Sequence, residues 1–228
     1  MRSILRSSAI AIAAASAWLL AAPSASAITF DFAGFGAAEL NPATFTASAS
    51  QGEGGYPTFS MTVAGLTVDA AASLATGGTP FVYLDGRSDG RLAGMGVCQH
   101  LLHGQCNPSD DDNVTSGETL SLTFSTSIDL DQVTFRDADH RASYQTGEKF
   151  WFQVDGGGFF PIDFPSNGEW SPSSVTGTTF DFRYNNEQFY ISTVTANPNT
   201  VPEPATLGLL GAGLFATGLR RARRRSRA

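Results

Sequence analysis

The central part of the sequence has very little positive charge. Its only lysine is Lys149, and positions 28–200 contain 6 of the 14 basic residues but 20 of the 21 acidic ones. This part therefore carries a net charge of −14. Binding to nucleic acid phosphates requires a basic face. The composition therefore argues against nucleic acid as a partner and favours cations or neutral polymers such as polysaccharides.

Positions 28–200 also lack a stripe of apolar residues at helical spacing. Apolar and polar residues instead alternate in short runs that Gly-rich segments separate, which is typical of strands. The runs are 28–32, 44–49, 58–63, 66–70, 81–84, 119–125, 132–135, 150–154, 179–184 and 188–194. Phenylalanine is abundant here and can fill a core. We predict an all-β domain over 28–200, a jelly-roll-like β-sandwich of roughly ten strands.

The N-terminal residues have the pattern of a secretory signal peptide. Two arginines within the first six residues precede an apolar run over 9–22, and small residues at 25–27 form a cleavage site. We therefore expect residues 1–27 to be removed and the mature chain to begin at Ile28, outside the cytoplasm.

The C-terminal residues lack a hydrophobic run of full membrane length. Pro202-Glu203-Pro204, whose prolines favour extended backbone, precedes the apolar run 205–219. As a helix this run would be about 22 Å long, against a hydrocarbon core of about 30 Å. The last nine residues include six arginines, which would keep the C-terminus in the cytoplasm. This pattern predicts a transient membrane segment that is held until the chain is cut, with a plain membrane anchor as the alternative.

Residues 201–228 resemble the PEP-CTERM sorting signal of Gram-negative bacteria. Pro202, Glu203 and Pro204 match its motif, 205–219 its transmembrane helix and the arginines its basic end. The resemblance implies that exosortase, a membrane-embedded cysteine protease, recognises the motif and cleaves near it. It also implies a precursor that is transiently in the inner membrane and a product that reaches the cell surface or the extracellular matrix.

The chain has only two cysteines, Cys98 and Cys106, with His100 and His103 between them. In an exported protein this pair favours a disulfide. Closing so short a loop would contribute roughly 2–2.5 kcal/mol in the chain-entropy model. The alternative is a zinc site in which the two thiolates and two imidazoles supply four ligands.

Acidic residues are densest directly after the second cysteine. Carboxylate and amide oxygens crowded in one loop are the ligands that calcium prefers, although the spacing does not match an EF-hand. Acidic residues after a later predicted strand, with His140 beside them, are further contributors. The candidate calcium ligands are Asp110, Asp111, Asp112, Asn113, Glu118, Asp137 and Asp139. Calcium is the one cofactor this pattern suggests, and a solvated acidic loop is the alternative.

Positions 94–140 resemble a segment common among secreted proteins with this sorting tail. The segment has a Gly-rich turn, a cysteine pair, Asp-Asp-Asn, Gly-Glu-x-Leu with a strand, and a second strand that ends in acidic residues. This resemblance supports the sandwich and implies no biochemical activity.

Signals for catalysis are sparse, and we assign no catalytic residue. There is no Gly-x-Ser-x-Gly nucleophile motif. We therefore expect a non-enzymatic exported protein with extracellular polysaccharide as its candidate ligand. Because carboxylates are abundant, a secreted glycan-acting hydrolase is the alternative. The candidate aromatic residues for a sugar-stacking platform are Tyr144, Trp151, Trp170 and Tyr184.

Overall fold

The structure, a computed structural model, describes residues 26–199. Among these residues, no helix has the length and apolar character needed to cross a membrane. The predicted sorting signal over 201–228, with its membrane helix at 205–219, lies outside the described residues. All but the last two residues of the predicted signal peptide also lie outside the described residues.

The described residues form fifteen strands and one short helix, which confirms the all-β prediction. The helix α1 (Phe32–Gly36) is buried and begins after Asp31, whose Oδ1 accepts a hydrogen bond from the amide of Gly34 at 2.8 Å. The strands are β1 (Ile28–Asp31), β2 (Phe45–Ala47), β3 (Gly54–Tyr56), β4 (Phe59–Val63), β5 (Leu66–Leu74), β6 (Phe81–Ser88), β7 (Arg91–Cys98), β8 (Leu101–Leu102), β9 (Gln105–Cys106), β10 (Glu118–Arg136), β11 (Lys149–Val154), β12 (Phe160–Asp163), β13 (Glu169–Trp170), β14 (Val175–Tyr184) and β15 (Tyr190–Pro198).

Thirteen of these strands form one antiparallel sheet that curls into two layers, and the long strand β10 belongs to both. The N-terminal half of β10 lies between β5 and β14. The register between β10 and β14 shifts between Thr123 and Ile128, and the two strands pair again at 128–130. The C-terminal half of β10 also pairs with β15 and, near its end, with β13. The first layer therefore has the order β2-β4-β5-β10-β14-β11-β12. The second has the order β13-β10-β15-β7-β6-β3, with β1 also on β15.

Aromatic side chains fill the space between the layers. The ring of Phe135, in the second half of β10, lies 4.8 Å from the ring of Phe150 and 5.6 Å from that of Phe189. Phe30 in β1 reaches across to Phe124 in the first half of β10, with ring centroids 5.7 Å apart. All of these side chains are buried. Truncating one of them to alanine would cost about 3–5 kcal/mol.

Strand β7 is a missed prediction, because glycines interrupt its alternating pattern. A Cβ atom on Gly96 would lie 2.1 Å from the carbonyl oxygen of Asp112, and one on Gly94 would lie 2.4 Å from that of Ile191. Because Gly94 and Gly96 have no side chain, two other parts of the chain can lie directly on β7. One is strand β15, and the other is the segment that follows the disulfide. Two other predicted runs, 119–125 and 132–135, are parts of the single strand β10.

Candidate functional site

Cys98 and Cys106 form the predicted disulfide. The bond joins the end of β7 to β9 and closes the small β8–β9 hairpin over Tyr83. Both sulfur atoms are used in this bond and are not available as thiolates, so the structure does not contain the alternative zinc site. His103, one of its proposed ligands, is exposed in the hairpin turn.

Glu118 lies in the interior, although the sequence places it among the candidate calcium ligands. Its side chain is completely buried. Oε2 accepts a hydrogen bond from the amide of Thr115 at 2.7 Å, and Oε1 accepts one from Nε2 of Gln99 at 3.1 Å. None of the ion pairs among residues 26–199 involves this carboxyl group. Burial raises the pKa of Glu118 to about 7, despite these hydrogen bonds.

The acidic residues of the loop have separate surroundings. Asp110 is exposed, and Asp111 is half-buried with Oδ2 3.4 Å from the amide of Gln99. Asp112 accepts a hydrogen bond from the hydroxyl of Tyr190, and burial raises the pKa of Asp112 to about 6. The side chain of Asn113 is buried. The loop therefore does not direct its oxygen atoms toward a common centre.

Asp137 and Asp139 lie in a different loop, where they make local contacts. Oδ1 of Asp137 accepts hydrogen bonds from the amides of Asp139 and Arg141 at 2.9 and 2.8 Å. Asp139 pairs with the guanidinium group of Arg141 at 2.9 Å. Within residues 26–199, no three His, Cys, Asp or Glu side chains lie close enough together to hold a metal ion. The structure thus does not assemble the predicted ligand set, and calcium binding stays a prediction.

His140, named as a further calcium contributor, is instead part of a buried polar network. Its Nε2 lies 2.8 Å from Oδ2 of Asp85, and its Nδ1 lies 3.4 Å from the carbonyl oxygen of Arg91. Its ring also packs edge-on against Tyr190, with centroids 5.3 Å apart. Burial lowers the pKa of His140, but the hydrogen bond and the charge of Asp85 outweigh it, so the net shift is upward.

This network favours a cationic imidazole with both nitrogen atoms occupied. Each nitrogen faces an acceptor, so each donates a proton to make its hydrogen bond. A ring in this state has no free lone pair with which to remove a proton from a substrate. The ion pair between Asp85 and His140 joins β6 to the segment after β10, and we interpret it as structural.

The first layer has an open outer face around Trp151. Because side chains alternate along a strand, Trp151 points away from the core that contains Phe150 and Phe152. Strand pairing places polar side chains beside it in two rows across the sheet. The rows are Trp151, Arg183, Thr119 and Ser73, and then Gln153, Asp181, Ser121 and Ala71, which together we name the Trp151 face.

Arg183 lies over the aromatic side chains at one end of this face. Its guanidinium carbon is 4.0 Å from the ring centroid of Phe159 and 5.7 Å from that of Trp151. Such contacts hold the guanidinium group in position. Sequence patterns placed 150–154 and 179–184 in strands, but only the register shows that Trp151 lies opposite Arg183.

The predicted aromatic platform is not assembled. Tyr144 is buried and stacks on Phe164, with ring centroids 4.1 Å apart. Trp170 packs against Phe152 at 4.8 Å, and Tyr184 packs against the core. Of the four candidates, Trp151 is the one that faces outward from its layer.

Comparison with known proteins identifies the C-terminal segment. Residues 200–225 match the family model described as the PEP-CTERM protein-sorting motif. Comparisons with curated proteins and with solved structures gave no match. The motif implies export and sorting to the surface by an exosortase, as the sequence predicts. The chain therefore carries the PEP-CTERM protein-sorting motif at residues 200–225.

Proposed function

We propose that this protein is a non-enzymatic component of the cell surface or of the extracellular polysaccharide matrix, where it binds polysaccharide. The sorting motif at residues 200–225 supports a location outside the cell. The observation that supports the proposed polysaccharide binding is the Trp151 face, an outward sheet surface with an aromatic ring beside rows of polar side chains.

The chemistry of the Trp151 face suits a sugar chain. An aromatic ring presents a flat apolar surface that can cover the C–H face of a pyranose. The side chains of Gln153, Asp181 and Arg183 offer donors and acceptors at fixed positions of neighbouring strands. Small side chains in the same rows, such as those of Ala71 and Ser121, leave space above the sheet for an extended chain. Arg183 is already held by its contacts with Phe159 and Trp151, so ordering this side chain on binding costs less entropy.

The binding test uses the exopolysaccharide of the host organism and two aromatic variants. Trp151→Ala removes the outward ring. Phe160→Ala is the matched control, because Phe160 is 42% exposed but its ring contacts Phe152 on the inward side of the same strand pair. We expect Trp151→Ala to weaken binding about tenfold, or about 1.4 kcal/mol, and Phe160→Ala to leave it within about twofold. Equal affinity of wild type and Trp151→Ala would contradict the proposal.

The alternative, a secreted glycan-acting hydrolase, requires two carboxyl groups beside the scissile bond. The two carboxyl groups nearest the buried histidine, Asp85 and Asp112, are engaged by His140 and Tyr190. This arrangement supports the non-enzymatic proposal. Reducing sugars should be measured in the same binding experiment, with Asp181→Asn as a second variant. Release of sugars by wild type that disappears in this variant would replace the proposal by the hydrolase.

A further inference from the structure

A depression at one end of the second layer gathers much of the positive charge of an otherwise acidic domain. It lies where β7 begins, where β10 ends and where the following segment turns back. Three of the six basic residues between positions 28 and 200 line it. Its lining consists of Arg91, Leu92, Arg136, His140, Arg141, Ala142 and Ser143, and we name it the arginine pocket.

The backbone around the arginine pocket is held in place by hydrogen bonds. Arg136 is the last residue of β10 and pairs with Tyr190 of β15. The carbonyl oxygen of Arg91 faces Nδ1 of His140 at 3.4 Å. Arg141 donates its amide to Oδ1 of Asp137 at 2.8 Å, and its carbonyl oxygen accepts from the amide of Asp137 at 2.9 Å. The backbone at the three arginines is therefore fixed before any ligand arrives, so that binding has only their side chains to order.

The guanidinium groups of the arginine pocket have few competing partners. Among residues 26–199, Arg91 and Arg136 take part in none of the four ion pairs. Arg141 pairs with Asp139, but the two side chains are 54% and 66% exposed, and such surface pairs are weak. Asp85 neutralises His140 from the interior side. An anion in the pocket would therefore not have to displace an ion-pair partner from Arg91 or Arg136.

We propose that the arginine pocket binds the carboxylate of an acidic sugar unit, and this rests on the proposed polysaccharide binding. A planar guanidinium group matches a carboxylate with two parallel hydrogen bonds. The net charge of −14 between positions 28 and 200 repels a densely charged polymer. The ligand is therefore a glycan with isolated acidic groups, each within reach of the pocket. The pocket and the Trp151 face lie on different layers and contact different parts of such a glycan.

The test compares two tetrasaccharides of glucose units, one of which ends in a glucuronate. The full chain is used as wild type, as the double variant Arg91→Gln with Arg136→Gln, and as Arg87→Gln. Arg87 is the matched control, because it is an exposed arginine of β6 that pairs with Glu39 and lies outside the pocket lining. Arg141 is left unchanged, since it also borders an acidic depression with Asp137 and Glu148. Melting temperatures check that every variant is folded.

Titration calorimetry should show that wild type prefers the acidic tetrasaccharide at least fivefold. The double variant should lose this preference, and Arg87→Gln should keep it. Equal binding of the two tetrasaccharides to wild type would overturn the proposal for the arginine pocket and leave the proposed function intact. A preference for the acidic tetrasaccharide that survives in the double variant would have the same meaning. Free glucuronate tests the pocket alone in the case in which neither tetrasaccharide binds. Binding of glucuronate that the double variant loses then supports the pocket, although the proposed polysaccharide binding has failed. Absence of binding by both acidic probes overturns the proposal for the arginine pocket.

Discussion

Glu118 should make the folded protein less stable as the pH rises. Its buried carboxyl group has a pKa of about 7, against an ordinary value of 4.5. Between these values the folded state keeps a proton that the unfolded state has lost. The resulting stability is fully present below the unfolded pKa and is lost as the pH rises through the folded pKa. A shift of this size corresponds to about 3 kcal/mol, since each pH unit is worth 1.36 kcal/mol.

Two other groups act in the same direction. Burial raises the pKa of Asp112 to about 6, and the pKa of His140 is also raised because Asp85 outweighs burial. Each of these groups binds its proton more tightly in the folded state, so each adds to the loss of stability at higher pH. The variant Glu118→Gln should remove the part of the pH-dependent loss of stability that is due to Glu118. The parts due to Asp112 and His140 should remain.

Urea unfolding of wild type and Glu118→Gln, measured from about pH 5 to about pH 8.5, checks this prediction. Glutamine keeps an oxygen atom to accept the amide of Thr115, and Gln99 can turn its own amide to match. We expect wild type to lose about 3 kcal/mol more than the variant over this range. Glu169→Gln, at an exposed position, is the control and should follow wild type. Parallel curves for wild type and Glu118→Gln would refute the reasoning.

Three further predictions concern the sorting motif, the disulfide and calcium. Replacing Pro202, Glu203 and Pro204 with alanines should leave the precursor in the inner-membrane fraction, because the exosortase loses its recognition segment. If a blot shows the variant processed to the same mass as wild type, this prediction is wrong. Cys98 and Cys106 should resist alkylation until a reductant is added, and reduction should lower the free energy of unfolding by roughly 2–2.5 kcal/mol. If the acidic loop binds calcium with a Kd of about 0.1 mM, about 1 mM calcium should stabilise the protein by about 1.4 kcal/mol. Thermal melts should show this effect disappear in Asp110→Ala with Asp111→Ala, whereas identical melts in calcium and in sodium of matched ionic strength would exclude the site.

The sequence by itself was sufficient for features that are local along the chain. The sorting signal is a linear motif, so Pro202, Glu203 and Pro204 could be recognised without a fold. The disulfide was predictable because an exported chain with two cysteines allows one intramolecular pair. The all-β class followed from alternation, since a half-buried strand must place its apolar residues on one face. The same signal failed for β7, where Gly94 and Gly96 serve close backbone contacts.

Only the tertiary structure decided which distant residues are neighbours. Alternation puts Trp151 and Arg183 on one face of their strands, but strand register makes them opposite each other. Asp85 and His140 lie far apart in sequence, and they pair because β6 and the segment after β10 meet at the same end of the second layer. Glu118 looks like a member of an acidic loop, yet it is the first residue of β10 and points inward with Leu120. Whether a polar side chain is buried depends on the residues that pack over it. Those residues come from distant parts of the chain, so a local sequence pattern does not identify them.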